Sequence, residues 1–267
     1  MKSVRELMDL GGRVALVTGG AGFIGTAICE AMAELGASVV VLDIAEVACA
    51  EKAGLIADRY STEAMPLVVD LTDEKALRAV PEKIWERFER LDIVFNCAGL
   101  VGTSDLKGWT VPFSEQRTAA YRQALDVNLT APFILVQSCA EALKASGYGS
   151  VINIASTYGL VGPDLRLYEG TSMGNPAGYA ASKGGLIQLT RWLATVLAPD
   201  VRVNAIIPGG IWRNQPETFR EQYVARTPLG RMGAEEDLKG AAAYLASDLS
   251  AYVTGQNLIV DGGWTAW

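Results

Sequence analysis

Tyr179, Lys183 and Ser156 are the residues whose types and spacing best suit proton transfer. Tyr179 and Lys183 are four positions apart, which would place them on one face of a helix, one turn from each other. A free phenol loses its proton at a pH of about 10, and a nearby ammonium favours the phenolate, so Lys183 would help Tyr179 act as a base. Ser156 follows an apolar segment and could hydrogen-bond a substrate oxygen whose charge changes during reaction.

Histidine is absent from all 267 residues, which removes a large block of chemistry. No Ser-His-Asp or Cys-His nucleophile and no histidine-ligated zinc site can form, so proton transfer must use Tyr, Lys, Asp, Glu, Cys or a cofactor. The four cysteines include no Cys-x-x-Cys pair, so we expect no metal site and no disulfide, only the reduced thiols of a cytoplasmic protein. The net charge of −7 argues against nucleic acid as a partner, and the lack of a long apolar segment argues against a membrane.

A glycine-rich turn follows the first predicted strand and leads directly into a helix. Gly19, Gly22 and Gly25 would permit a tight turn, let the backbone approach a pyrophosphate and pack the helix closely against the strand. The helix that begins at Phe23 and Ile24 would direct its N-terminus at the phosphates. A strand before the turn and a helix after it favour a dinucleotide site over an ordinary glycine turn.

Two acidic residues close the second and third predicted strands and indicate where an adenosine would lie. Asp43, followed by Ile44, could accept hydrogen bonds from both hydroxyls of the adenosine ribose. Its charge would repel a 2′-phosphate and no arginine follows nearby, so the sequence favours NAD over NADP as the cofactor. Asp70, followed by Leu71, could meet the adenine edge, although a role in capping the next helix is also open.

Short apolar segments alternate with longer amphipathic segments along the chain. The predicted strands are 14–18, 38–43, 66–69, 92–96, 150–155, 201–207 and 257–260. The predicted helices are 23–35, 46–60, 73–90, 116–146, 178–198 and 235–247. Strands that are nearly continuous Val, Ile and Leu are typical of parallel sheets covered by helices on both faces. We therefore predict an α/β protein of one domain over residues 1–267, with a Rossmann-type, doubly wound, seven-stranded parallel sheet.

Six motifs occur in a characteristic order on these elements. They are Asn96-Cys97-Ala98-Gly99, Asp126-Val127-Asn128-Leu129, Asn153-Ile154-Ala155-Ser156, Tyr179-Ala-Ala-Ser-Lys183, Pro208-Gly209-Gly210 and Val260-Asp261-Gly262-Gly263. Together they resemble the short, single-domain branch of the short-chain dehydrogenase/reductase family over residues 12–263. The resemblance implies that the catalytic residues are Asn128, Ser156, Tyr179 and Lys183. It also implies that further cofactor contacts lie at Ile44, Leu71, Asn96, Ala98, Gly99, Tyr179, Lys183, Pro208, Gly209 and Ile211.

The resemblance implies an oxidoreductase that interconverts a secondary alcohol and a ketone. Tyr179 would remove the hydroxyl proton while a hydride passes to the nicotinamide, and Asn128 would hold a water that links Lys183 to solvent. Lys183 would also reach the hydroxyls of the nicotinamide ribose. Members of the family assemble through their long helices and last strand, so a homotetramer or homodimer is expected. Trp264 and Trp267 would then be buried in a partner or cover the protein's own core.

Two residues depart from the family pattern. Phe23 stands where the short branch usually has a second glycine, and the resulting spacing is commoner in the extended branch of epimerases and dehydratases. Those proteins carry an additional C-terminal substrate domain, for which this sequence has no counterpart. Arg213 stands where the family commonly places a threonine near the nicotinamide carboxamide. Arg213 could face an anionic group of the substrate, or it could be a surface arginine.

The segment between Ser156 and Tyr179 is longer than the family usually has. Its insertion, about 160–177, is rich in polar side chains, which suits a small hydroxylated or charged substrate such as a sugar, although a solvent-facing loop is also open. We expect substrate contacts from Ser156, Tyr158, Arg166, Glu169 and Arg213. A lid at about 211–230 would close over the substrate and exclude water. The insertion and the Trp264-Thr-Ala-Trp267 ending also resemble a bacterial subgroup linked to surface-sugar and nonulosonic-acid pathways.

Three functions remain open from the sequence. The first is an NAD(H)-dependent alcohol or sugar dehydrogenase that uses Tyr179 and Lys183. The second is an epimerase or dehydratase that recycles its hydride, as the glycine spacing suggests. The third is a non-catalytic nucleotide-binding protein on the same fold, against which the complete set of catalytic residues speaks.

Overall fold

A parallel sheet runs through the centre of the protein. The computed structural model describes residues 1–102 and 104–267, and this part of the chain contains seven strands. They are β1 Val14–Thr18, β2 Ser38–Asp43, β3 Ala64–Val68, β4 Ile93–Asn96, β5 Gly149–Ile154, β6 Val201–Pro208 and β7 Asn257–Val260. The order is β3-β2-β1-β4-β5-β6-β7, and every neighbouring pair is parallel. The predicted Rossmann-type sheet is therefore confirmed.

Helices connect the strands and cover both faces of the sheet. The α-helices of the described residues are α1 Val4–Met8, α2 Phe23–Glu34, α3 Glu46–Tyr60, α4 Glu74–Arg78, α5 Val80–Phe88, α6 Thr118–Leu125, α7 Ala131–Ala145, α8 Ala177–Val196, α9 Glu217–Val224 and α10 Lys239–Ala246. None of these helices combines the length and apolar character that crossing a membrane requires.

Neighbouring strand residues pack on opposite faces of the sheet. Val17 of β1 packs in one buried cluster with Ile28 of α2, whereas Leu16 packs in another with Leu135 of α7. Successive side chains of a strand point to opposite sides, so a strand with a helix on each side must be apolar at every position. This is why β1 is buried along its whole length.

Three prolines account for the main differences between the predicted and observed boundaries. The predicted helix 73–90 divides into α4 and α5 at Pro81, which has no N–H to donate. The predicted helix 116–146 contains a π-helical turn over Asp126–Thr130, where Ala131 N bonds to Asp126 O just before Pro132. Pro66 lies inside β3, which it tolerates because β3 is an edge strand.

The strand order places a crevice at the carboxyl ends of β1 and β4. The chain runs from β1 outward through β2 to β3 and then returns to β4 on the other side of β1. In open α/β sheets ligands bind at such a reversal, because the connecting loops diverge there. The glycine turn after β1 and the Asn96-Cys97-Ala98-Gly99 motif after β4 both lie at this crevice.

Candidate active site

The glycine turn brings the backbone of β1, α2 and the loop after β4 into direct contact. Gly19 has φ +64°, and a Cβ at this residue would lie 2.8 Å from Ala98 Cα. A Cβ at Gly25 would overlap the carbonyl oxygen of Gly19. Only glycine fits either position, so the turn packs as closely as the sequence predicts.

In the part of the chain that the structure describes, the first N–H groups of α2 have no hydrogen-bond partner. Its N-cap residue, Gly22, supplies no side chain to cap it, and the first turn contains no acidic residue. Phe23 and Ile24 form this first turn, and the Phe23 side chain is 66% exposed. Free N–H groups at the positive end of a helix dipole make a site suited to an anion such as a phosphate.

Asp43 lies directly beside the glycine turn. Its Oδ1 accepts from Ile44 N at 2.8 Å, and its Oδ2 accepts from Ala21 N at 3.3 Å. These bonds hold the carboxylate at the end of β2, close to the turn that would bind the phosphates. Ile44 itself is exposed.

Asp70 shapes the turn that precedes α4. Its Oδ1 accepts from both the N–H and the hydroxyl of Thr72 at 2.8 Å, whereas Asp73 is the residue that caps the helix. Leu71, between them, is half-buried. Contact between Asp70 and an adenine edge therefore stays a prediction.

Thr18 positions the loop after β4, a role that sequence analysis missed. Its hydroxyl oxygen accepts from Cys97 N at 3.0 Å and from Ala98 N at 3.2 Å. The Asn96 side chain instead donates to Asn153 Oδ1 on the neighbouring strand β5, at 2.8 Å. The end of β1 thus sets the path of the backbone that leads to Gly99.

Lys183 is buried at the centre of the candidate site. Its side chain extends from α8 to the end of β5, where Nζ donates to Ile154 O at 2.7 Å. Nζ also lies 5.9 Å from the centre of the Tyr179 ring, one helical turn earlier on α8. A Cβ at Gly99 would lie 3.4 Å from Nζ and only 3.1 Å from Asn128 Oδ1, so the absence of a side chain at Gly99 leaves room chiefly for the Asn128 amide.

The site changes the pKa values of both α8 residues. Burial lowers the pKa of Lys183 to about 8. Burial raises the pKa of Tyr179, while the nearby Ser156 side chain and the positive charge of Arg213 oppose that rise. The groups that favour the phenolate in the structure are thus Ser156 and Arg213, and the help that the sequence predicts from Lys183 stays a prediction.

Asn128 ties the loop after β4 to α8. Its Oδ1 accepts from Leu100 N at 2.7 Å, and its Nδ2 donates to Leu100 O and to Ser182 Oγ, each at 3.0 Å. The π-helical turn gives Asn128 this position and buries it completely. Both amide hydrogens are therefore used by protein groups, and the bound water predicted for Asn128 stays a prediction.

Five aromatic side chains, which we call the aromatic wall, line the side of the site beyond Tyr179. They are Tyr158, Tyr168, Phe219, Tyr223 and Trp264. Trp264 stacks on Tyr223 with ring centres 5.7 Å apart and meets Tyr158 edge-on at 5.9 Å. The wall joins the 160–177 insertion, helix α9 of the 211–230 segment and the C-terminal residues. Trp264 thus covers the protein's own core, whereas Trp267 is 83% exposed.

Polar atoms without partners lie within and beside the aromatic wall. Tyr168 and Tyr158 share a hydrogen bond of 2.8 Å between their hydroxyls. Burial raises the pKa of Tyr168, and the nearby Tyr158 and Asn175 oppose the rise. Yet the amide nitrogen and oxygen of Asn175 and the Trp264 Nε1 are buried with no well-formed hydrogen bond in the described part of the chain. Leaving such groups unpaired costs about 1–3 kcal/mol each, so this region suits a polar ligand.

The structure does not bring all the predicted substrate residues into this region. Arg166 is exposed and pairs with Asp164 through two bonds of 2.8 Å, and Glu169 is also exposed. The insertion instead buries Leu167 completely and packs Tyr168 into the aromatic wall, so it is more than a solvent-facing loop. Substrate contact by Arg166 and Glu169 stays a prediction.

The residues after β6 form the remaining edge of the site. Pro208 ends the strand, Gly209 N donates to Val260 O at 2.9 Å, and Ile211 bridges to Gly233. The predicted lid contains the short helix α9, whose Tyr223 hydroxyl accepts from Gly210 N. Its opening and closing stay a prediction.

This fold and arrangement of residues match a known protein family. The family model described as Enoyl-(Acyl carrier protein) reductase matches residues 19–265. The cis-4-hydroxycyclohexanecarboxylate dehydrogenase of Sinomonas cyclohexanicum is 34% identical over 259 residues, which cover 95% of this chain and 97% of that protein. The chain therefore belongs to the short-chain dehydrogenase/reductase family and is an oxidoreductase that acts on CH–OH groups.

Two further relatives act on, or bind, hydroxylated molecules. The galactitol 2-dehydrogenase (L-tagatose-forming) of Cereibacter sphaeroides is 34% identical over 274 residues, and the matched region covers 98% of this chain and 99% of that protein. The crystal structure of a gluconate 5-dehydrogenase from Burkholderia cenocepacia J2315, in complex with NADP and tartrate, superposes with a TM-score of 0.88. It is 29% identical and covers 99% of this chain and 100% of that one.

The residues present fit the nicotinamide dinucleotide that the family uses. Gly25 keeps the glycine turn free of a side chain, and the first turn of α2 has free N–H groups for a pyrophosphate. Asp43 lies where a ribose hydroxyl could donate to its carboxylate.

Proposed function

We propose that this protein is an NAD(H)-dependent oxidoreductase that interconverts a secondary alcohol and a ketone on a small, polar, sugar-like substrate. The observation that carries the proposal is the set of buried polar atoms of Asn175 and Trp264 beside the helix of Tyr179, which have no hydrogen-bond partner within residues 1–102 and 104–267. A hydroxyl-rich substrate would supply the hydrogen bonds that these atoms lack, whereas an acyl chain would leave them unpaired.

The proposed roles follow from where each side chain lies. Tyr179 accepts the proton of the substrate hydroxyl during oxidation and returns it during reduction. Ser156, whose side chain lies close enough to Tyr179 to lower the pKa of the phenol, bonds the substrate oxygen and keeps it near that phenol. Lys183, held by Ile154 O, supplies positive charge close to the phenol. The bound nicotinamide supplies the hydride chemistry, which the protein orients but does not itself perform.

Asp43 supports NAD over NADP. Its carboxylate is fixed beside the glycine turn by Ile44 N and Ala21 N, so it cannot easily move away from a 2′-phosphate. Asp43→Ala is expected to raise kcat/KM with NADP at least about tenfold relative to NAD, because the charge repulsion is removed. A wild-type protein that already prefers NADP would contradict this assignment.

An oligomer is also proposed, as a homotetramer or homodimer in the cytoplasm. Trp192 and Val196 on α8 are about half exposed, and Trp267 at the C-terminus is more so. Exposed large apolar side chains on one long helix suit burial against a second copy. The four free cysteines are compatible with a reducing compartment. Light scattering on a sizing column would measure the mass, and a monomer at micromolar concentration would contradict the assembly.

A substrate screen that follows NADH absorbance tests the proposed activity. It uses polyols, sugar acids and cyclic hydroxy acids, with a β-hydroxyacyl thioester as the contrasting acyl substrate. Asn175→Leu should raise KM for the best polar substrate about tenfold with little effect on kcat, since one lost hydrogen-bonding group weakens binding by roughly that factor. Ser172→Ala, an exposed change in the same insertion, serves as the matched control.

Each contrary outcome has its own meaning. Preference for the acyl thioester, or an unchanged KM for Asn175→Leu, would overturn the proposed substrate class. Conversion of a sugar without net change in NADH would show the hydride-recycling epimerase or dehydratase that the glycine spacing suggests. Bound cofactor with no turnover on any substrate would show a nucleotide-binding protein without this activity. The link to surface-sugar pathways stays a prediction.

A further inference from the structure

The two residues that depart from the family pattern touch each other in the structure. The guanidinium carbon of Arg213 lies 4.5 Å from the centre of the Phe23 ring. At this distance over an aromatic face, a guanidinium is held by cation–π attraction. The contact joins the start of the 211–230 segment to the first residue of α2, although the two are far apart in sequence.

Glu235 holds the same guanidinium through another atom. Arg213 Nε lies 2.9 Å from Glu235 Oε1, and the two side chains are 32% and 28% exposed. Because this bond uses Nε, both terminal nitrogens of Arg213 remain without a hydrogen-bond partner in residues 1–102 and 104–267. The guanidinium is therefore oriented by two neighbours and still has donors available for an anion.

The place where Arg213 lies already favours negative charge. Phe23 is the first residue of α2, whose N–H groups have no side-chain cap and no acidic neighbour in the first turn. Glu235 balances the charge of the Arg213 guanidinium, whereas the positive end of α2 has no carboxylate in its first turn and favours an anion. Arg213 is also close enough to Tyr179 to oppose the rise that burial causes in the pKa of that phenol. It thus lies near both the glycine turn and the reaction site.

We propose that Arg213, stacked on Phe23 and paired with Glu235, binds the pyrophosphate of the dinucleotide and thereby ties the 211–230 segment to the bound cofactor. This inference rests on the proposed dinucleotide site and adds a binding residue to it. Phe23 is a positioning residue in this arrangement, since its exposed ring supplies the face on which the guanidinium rests. Phe23 and Arg213, the two residues that depart from the family pattern, therefore form one structural feature.

The alternative raised by the sequence is that Arg213 binds an anionic group of the substrate. The two assignments differ in a measurable way, because ADP carries the phosphates of the cofactor but no part of the substrate. Adenosine carries neither phosphate and serves as the internal reference. Displacement of NADH by each compound, followed by NADH fluorescence, gives their dissociation constants without any turnover.

Three variants make the test specific. Arg213→Gln is expected to weaken ADP and NADH binding by about tenfold or more, because a charge-assisted hydrogen bond is lost, and to leave adenosine binding unchanged. Phe23→Leu should change ADP binding in the same direction by a smaller factor. Arg220→Gln is the matched control, since Arg220 also belongs to the 211–230 segment and also lies over an aromatic ring, that of Trp212 at 5.3 Å. It should bind ADP as the wild type does.

Salt provides a second readout. Screening weakens the attraction between exposed charges, so raising the salt concentration should weaken ADP binding more in the wild type than in Arg213→Gln. Unchanged ADP binding in Arg213→Gln would overturn the proposal, and a raised KM for an anionic substrate would then assign Arg213 to the substrate. Equal weakening of ADP and adenosine would overturn it as well, because it indicates a disturbed fold. A wild type that binds neither NADH nor NADPH would instead contradict the proposed function itself.

Discussion

The Asn128 side chain donates to the hydroxyl of Ser182 at 3.0 Å, and that hydroxyl donates in turn to Tyr179 O at 2.8 Å. This chain of bonds connects the π-helical turn of Asn128 to the first turns of α8. Because α8 carries both Tyr179 and Lys183, the loop after β4 and the proposed catalytic residues are held as one unit. The buried amide therefore has a positioning function that its residue type alone does not reveal.

Removal of the Asn128 amide should loosen this unit. Asn128→Ala leaves the N–H and C=O of the half-buried Leu100 without the Asn128 side chain as partner, so we expect a loss of about 2–3 kcal/mol in the free energy of unfolding and a lower kcat. Ser182→Ala should cost less, since Leu100 keeps both bonds. Urea unfolding of the two single variants and the double variant measures the coupling. Strictly additive losses would show that the two side chains act independently.

Replacement of the Tyr179 hydroxyl should stop catalysis without preventing cofactor binding. Tyr179→Phe keeps the ring but removes the proton carrier, so turnover should fall by about 10²–10⁴-fold. The NADH dissociation constant, measured by fluorescence titration, should remain close to that of the wild type. Tyr60→Phe removes a phenol hydroxyl that bonds Glu34 far from the site and is the control. Retained turnover in Tyr179→Phe would contradict its proposed role.

Burial of Lys183 predicts a specific pH dependence of stability. Its pKa is lowered to about 8 in the folded protein, whereas a lysine in an unfolded chain titrates at about 10.4. Below pH 8 the folded state carries the full cost of a buried charge, and that cost disappears as the pH rises from about 8 to about 10.4. Lys183→Met should therefore raise the thermal midpoint relative to the wild type more at pH 7 than at pH 10.

The exposed Lys75 provides the control for this measurement. Lys75→Met changes the same residue types on α4 and should show little dependence on pH between the two conditions. A difference between Lys183→Met and the wild type that is constant over this range would mean that the ammonium is not destabilised by burial.

Gly25 and Gly54 offer a matched pair of glycine substitutions within helices. A Cβ at Gly25 would overlap the Gly19 carbonyl oxygen, so Gly25→Ala should displace the glycine turn, weaken NADH binding and lower the thermal midpoint. At Gly54 of α3, no described residue outside the adjoining turns of the helix has an atom within 4 Å of the added Cβ. Gly54→Ala should stabilise the protein by about 0.5–1 kcal/mol, since alanine favours the helix. Normal NADH binding by Gly25→Ala would refute the close packing of the turn.

Sequence patterns predict most of the fold because the signals involved are local. Every strand of the sheet lies within a few residues of its predicted position, and the glycine turn lies between β1 and α2 as expected. The long predicted helices were less accurate, because Pro81 and Pro132 interrupt them in ways that amphipathic periodicity does not register. Tyr179 and Lys183 lie on one helix as their spacing predicts, since that geometry depends only on helical periodicity.

The sequence by itself determined the family, the parallel sheet and the helix that carries Tyr179 and Lys183, because each depends on short-range periodicity or on motifs of neighbouring residues. Only the tertiary structure decided which distant residues meet. It stacked Arg213 on Phe23, packed Tyr168 rather than Arg166 into the aromatic wall, and left the buried amide atoms of Asn175 without a partner in the described part of the chain. These contacts join loops from different parts of the chain, and their geometry depends on how the helices and the sheet pack together rather than on any local pattern.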